Sequence, residues 1–129
     1  MKSFIHKSIL AILFICVAMV AQAGIVDKVS NALTQGDASR LAAFFNESVE
    51  LVVLDKEGIY SKDQAKVIVT SFFNKYQPTK FTSLHNGGKP DATYVIGNLV
   101  TSSGQFRVYF LVKGTDSNQK VYQLRFEKE

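Results

Sequence analysis

The spacing of apolar positions changes twice along the chain, and each change predicts an element. Ile25, Val26, Val29 and Leu33 recur at helical spacing, and Gly36 stands where a helix C-cap belongs. Asp37 is placed to cap a second short helix, with Leu41, Phe44 and Phe45 as its buried stripe and Asn46 as its stop. The period then shortens: Val49 and the run from Leu51 to Leu54 have the β-branched bias of a strand. Asp55-Lys56-Glu57-Gly58 predicts a turn in which Gly58 takes a positive φ, and Ile59-Tyr60 resumes extended chain. Ser61-Lys62-Asp63-Gln64 is a capping-box pattern, and Asp63 puts negative charge where the helix dipole favours it. Ala65, Ile68, Phe72 and Tyr76 follow at steps of three or four, with Val69 and Phe73 alongside. A stripe this wide predicts the main core-facing helix. Pro78 ends it, because the residue before a proline leaves the α region.

The remainder reads as strands: Phe81 to His85, Thr93 to Thr101, Gln105 to Lys113 and Lys120 to Glu127. Asn86 to Asp91 and Gly114 to Gln119 are loops by composition, and Ser103-Gly104 is a tight-turn dipeptide. Phe106, Val108, Phe110 and Val112 share one face, and so do Tyr122, Leu124 and Phe126. Setting Phe110 opposite Leu124 joins the two core faces. It places Arg107 opposite Glu127 and Tyr109 opposite Arg125, whereas a two-residue slip would set Arg107 against Arg125. A Ser103-Gly104 loop places Phe110 opposite Gly97, whose missing side chain leaves room for that ring, a ligand or a bend. The order ααββαββββ predicts an α+β domain, a curved antiparallel sheet wrapped around its helices.

The amino terminus has a pattern of its own. Lys2 and Lys7 precede the apolar run Ile9 to Val20, and the small-x-small triplet Ala21-Gln22-Ala23 follows. This is the order of a secretory signal peptide, with cleavage between Ala23 and Gly24. The run falls short of the about 20 apolar residues that span a bilayer. The other reading is a single amphipathic or membrane-anchoring helix. Cys16, the only cysteine, sits inside the run behind Ile15 and does not fit a lipoprotein site. Residues 24–129 are then expected to form one exported, disulfide-free domain, periplasmic or secreted, with no stable membrane insertion. The formal charge of +4 includes Lys2 and Lys7, so the mature chain is less basic by two. No Lys/Arg cluster remains, which argues against a nucleic-acid partner.

His85-Asn86-Gly87, Tyr94-Val95-Ile96-Gly97-Asn98-Leu99, Gly104-Gln105-Phe106-Arg107-Val108-Tyr109 and Leu124-Arg125-Phe126-Glu127-Lys128 together resemble domain of unknown function 4783. That family consists of small exported proteins, mainly from Bacteroidota, within the nuclear transport factor 2-like superfamily. The resemblance covers the chain from about Ile25 onward. It implies a cone of helices packed into a curved sheet and an envelope address. It implies no activity, so no catalytic residue is carried over. The acid/base residues of the superfamily's isomerases, cyclases and dehydratases find no matching pattern here.

The candidate chemistry is sparse. His85 is the mature chain's only histidine, the one side chain that ordinarily titrates near neutrality. As a base it would need a partner, for which Asp91 and Tyr94 are the sequence neighbours. The plainer reading is a strand-end histidine bonded to the backbone. One histidine without cysteine does not make a zinc site. Asp116-Ser117-Asn118 lacks the glycine and closing glutamate of a calcium loop. No metal or other cofactor is expected. Arg107, Tyr109, Leu111, Arg125 and Glu127, with Ile96, should share the outer sheet face, as an interface or as a solvated ladder. Phe72, Tyr76, Gly97 and Phe110 could line a small apolar pocket, though the aromatic set is first of all core material. The function expected is non-enzymatic binding of an envelope protein, a second copy of the chain or a small apolar ligand. The alternative is a small-pocket acid-base enzyme using His85.

Overall fold

The computed structural model describes residues 24–129. The expected signal sequence, with Ala23 and Cys16, lies outside the described residues. The elements are α1 (Ile25–Gln35), α2 (Ala38–Ala42), β1 (Phe45–Val53), β2 (Lys56–Ser61), α3 (Lys62–Lys75), β3 (Pro78–Lys89), β4 (Ala92–Thr101), β5 (Gly104–Lys113) and β6 (Lys120–Lys128), with a 3-10 turn at Asp116–Asn118. This is the expected α+β order.

The helix ends follow the expected local chemistry. Gly36 takes the left-handed conformation at φ 63°, and its N–H donates to the Leu33 carbonyl at 3.2 Å. The Asp37 carboxylate accepts from the Arg40 N–H at 2.9 Å. The Ser61 hydroxyl accepts from the Gln64 N–H and the Gln64 side chain from the Ser61 N–H, closing the capping box. α2 is shorter than its apolar stripe suggested. Phe45 is buried at the head of β1, because the Phe44 carbonyl accepts from the Val121 N–H at 2.8 Å and draws the chain into the sheet.

One sheet of six strands, in the order β2-β1-β6-β5-β4-β3, forms the frame. Four of its junctions are antiparallel, and the junction of β1 with β6 is parallel. The last strand returns to the middle of the sheet rather than adding to its edge. α3 carries the chain from the edge strand β2 to the opposite edge strand β3.

Three turns differ from expectation. Between β1 and β2 the positive φ falls on Leu54, at 55°, while Gly58 lies within β2 opposite Leu51. Leu54 is held there by packing on the core and by its N–H, which donates to the Phe126 carbonyl at 3.0 Å. The glycine-rich stretch from Asn86 extends β3 as far as Lys89, leaving Pro90 and Asp91 to reverse the chain. The Tyr94 ring closes over Gly87, where a Cβ would force that ring to shift. The β4–β5 loop is Ser102-Ser103, with Thr101 opposite Gly104. The Thr101 hydroxyl donates to the Gly104 carbonyl at 2.7 Å and accepts from the Ser103 N–H at 3.2 Å. This moves the register by two residues: Gly97 faces Val108, and Phe110 faces Val95. The ring that occupies the space at Gly97 belongs to Phe81. The β5–β6 register is the expected one from Phe106 to Leu111, with Phe110 opposite Leu124 and Tyr109 opposite Arg125; a bulge at Tyr122 then shifts it by one, so Val121 and not Tyr122 is the buried residue, opposite Val112.

The core lies between the helices and the inner sheet face. From α3, Ala65, Val69, Phe72 and Phe73 are buried, while Ile68 is only partly covered. Phe72 meets the Phe126 ring with centroids 4.6 Å apart and stands edge-on to Phe106 at 5.1 Å. Phe73 completes the contact edge-on to Phe126 at 5.9 Å. Aromatic contacts of this kind add about 0.5–1.5 kcal/mol beyond the area they bury. Phe72→Ala is expected to cost about 3–5 kcal/mol in denaturant unfolding. Val67→Ala, on the exposed side of the same helix, is expected to stay within about 0.5 kcal/mol.

Candidate functional site: the outer sheet face

Strand alternation divides each side chain set between core and solvent. In β5, Phe106, Val108, Phe110 and Val112 are buried, so Arg107, Tyr109 and Leu111 point outward. In β4, Val95, Gly97 and Leu99 face the core, and Tyr94, Ile96 and Asn98 face out. In β6, Leu124 and Phe126 are buried against outward Gln123, Arg125 and Glu127. The registers assemble two rows across the outer face. One runs Val52, Arg125, Tyr109, Ile96, His85; the other runs Glu50, Gln123, Leu111, Tyr94.

The face has an apolar middle and a charged border. The Tyr94 and Tyr109 rings are nearly parallel, at 22° with centroids 6.2 Å apart. Burial raises the Tyr109 phenol above its ordinary pKa; Arg125 opposes the rise, and Tyr94 and Glu50 add to it. Tyr109 therefore remains a neutral hydrogen-bond donor beside a cation. Arg125 pairs with Glu127 along its own strand at 3.0 Å. Arg107 lies opposite Glu127, as expected, but its guanidinium bonds Glu129 at 3.0 Å. These half-exposed pairs contribute about 0–1 kcal/mol each. Their effect is to fix where the charges stand. The Gln123 amide donates to the Glu50 carboxylate.

Two hollows open on this face. One, of about 250 Å³, is lined by Glu50, Val52, Glu57, Ile59, Gln123 and Arg125. The other, of about 450 Å³, is lined by Ile96, Arg107, Tyr109, Gln123, Arg125 and Glu127. They meet at Gln123 and Arg125. Arg107, Tyr109, Arg125, Glu127 and Ile96, grouped from sequence, do share this surface. Glu50 and Val52 have no local sequence signal, since the parallel pairing brings β1 beside β6; Gln123 faces out by the same alternation as Arg125.

The remaining sequence-derived candidates lie apart. His85 Nε2 is 3.0 Å from the Tyr94 hydroxyl, at an exposed position on β3. Asp91 is in the β3–β4 turn, where its carbonyl accepts from the Gly114 N–H at 2.9 Å, and it does not join that pair. Phe72 and Tyr76 are packed with Phe106, Phe110 is fully buried, and Gly97 is covered by Phe81. Both hollows are lined by other residues. Among the described residues, no three His, Cys, Asp or Glu side chains form a metal-ligand group.

A comparison with curated proteins gives no match. Solved structures do match. A family protein from Bacteroides ovatus aligns with a TM-score of 0.74 and 27% identity, over 79% of this chain and 93% of its own. Its counterpart from Bacteroides uniformis aligns with a TM-score of 0.77 and 24% identity, over 82% of this chain and 98% of its own. A designed nuclear transport factor 2-type protein aligns at a TM-score of 0.63 and 12% identity, over 79% and 92% of the two chains, a likeness of fold alone. The model of a domain of unknown function, DUF4783, matches residues 26–127. The chain belongs to the DUF4783 family, on a nuclear transport factor 2-like fold.

Proposed function

We propose that the protein is an exported, non-enzymatic binding module of the bacterial envelope, and that it binds a second copy of itself through its outer sheet face. The observation that carries this reading is the composition of that face. Tyr94, Tyr109, Ile96 and Leu111 lie together outside the core, bordered by Arg107 and Arg125. Tyrosine and arginine are the side chains that anchor interfaces. The border holds both signs, with Glu50, Glu127 and Glu129 beside the arginines. A copy related by a two-fold axis can therefore set cation against carboxylate. The packed interior favours this surface over an apolar ligand between Phe72 and Phe110. Export rests on the Lys2–Lys7, apolar and Ala21-Gln22-Ala23 sequence order. Gly24 is the N-cap of α1, so a cut before it leaves the domain whole.

A second reading, acid-base catalysis, has one observation in its favour: the His85–Tyr94 hydrogen bond. Its exposed place on β3 and the separation of Asp91 give it no enclosed site.

Three outcomes test these readings. Tyr109→Glu is expected to halve the sedimenting mass at micromolar concentration with the melting transition retained; an unchanged mass would remove the outer face as the contact. His85→Ala is expected to leave that mass unchanged, and a loss of association would make His85 part of the interface. Expressed with its full amino terminus in a bacterial host, the protein recovered from the envelope fraction is expected to begin at Gly24 by Edman sequencing. Recovery of an intact Met1 terminus would contradict export by cleavage.

A further inference from the structure

Asn86 is the only asparagine of the chain that is followed by glycine. Asparagine is among the thermally labile side chains, and its lability depends on the residue after it. The backbone nitrogen of that residue must reach the side-chain carbonyl carbon, and a glycine puts no Cβ in the way. Asn46, Asn74, Asn98 and Asn118 are followed by Glu47, Lys75, Leu99 and Gln119.

The fold leaves this dipeptide where the sheet is most easily opened. β3 is an edge strand, paired on one side only. Every residue from Thr82 to Asn86 is exposed, and the pairing with β4 shifts between Ser83 and His85. Just past the dipeptide, Gly88 takes φ 101°, outside the strand region. An irregular register on one side and a positive-φ residue on the other lower the cost of opening this hairpin tip locally. What holds it closed is the pairing of Asn86 with Val95 and of Gly87 with Tyr94, whose ring lies over Gly87.

Ser83 adds a chemical feature. Its hydroxyl donates to Asn86 Oδ1 at 2.6 Å. Negative charge gathers on that oxygen when Cγ is attacked, and a donor already in place stabilises it.

We propose that Asn86-Gly87 is a site of spontaneous covalent modification in the folded protein, gated by Tyr94. The Gly87 nitrogen gives its proton to water and bonds to Asn86 Cγ. The side-chain nitrogen leaves as ammonia, and a cyclic succinimide closes. Water then opens the ring at either carbonyl, leaving aspartate or isoaspartate. Isoaspartate adds one carbon to the main chain of β3. Gly87 and Gly88 then lose their places opposite Tyr94 and Thr93. The end of the outer face that Tyr94 occupies is thereby remodelled.

Incubation of the folded protein in mildly alkaline buffer, followed by peptide mapping with mass detection, tests the site. Asn86 is expected to convert several-fold faster than Asn118, which is exposed in the 3-10 turn but precedes Gln119. Equal rates would overturn the proposal. Tyr94→Ala is expected to speed conversion several-fold, and an unchanged rate would overturn the gate. Ser83→Ala is expected to slow it, and a faster rate would overturn the part given to the hydroxyl. In urea below the unfolding transition the wild-type rate is expected to stay level, because opening a hairpin tip exposes little surface. A rate that climbs in step with global unfolding would put the reaction in the unfolded chain and overturn a site in the folded protein.

Discussion

Everything in this domain rests on the seating of α3 against the inner face of the sheet. Phe72 and Phe73 are the contact, wedged onto Phe106 and Phe126. The same helix covers the distance between the two edge strands, so the packing that buries it also decides where β2 and β3 lie. Because the helices cover one face only, the other is left to polar and aromatic side chains. The candidate site is thus a consequence of one-sided burial.

The sequence made the helical part legible because its signals are local. A capping box, an Asp cap and a left-handed glycine each act within a few residues, and Ser61, Asp37 and Gly36 play those parts. The β5–β6 register was legible for a different reason. From Phe106 to Leu111, core alternation fixes which residues share a face, and setting Arg107 opposite Glu127 avoids the like-charge pairing with Arg125.

The rest depended on contacts distant in sequence. The β4–β5 register turned on which residue closes the loop, and the Thr101 hydroxyl decides that. Gly97 correctly signalled a close approach, but the approaching ring, Phe81, comes from a strand on its other side. Leu54 takes a conformation usually left to glycine because tertiary contacts hold it there. The parallel insertion of β6 beside β1 had no local marker at all, and with it Glu50 was missed as a neighbour of Gln123 on the outer face. The β-alternation still named Arg107, Tyr109 and Arg125 together, since facing depends only on period and not on which strand lies alongside.

The seating of α3 is tested most directly by a double-mutant cycle on Phe72 and Phe126, each changed to leucine singly and together and followed by equilibrium unfolding. Direct ring contact predicts a coupling energy of about 0.5–1.5 kcal/mol between the two positions. Losses that simply add would contradict the contact, and with it the one-sided sheet on which the functional reading stands.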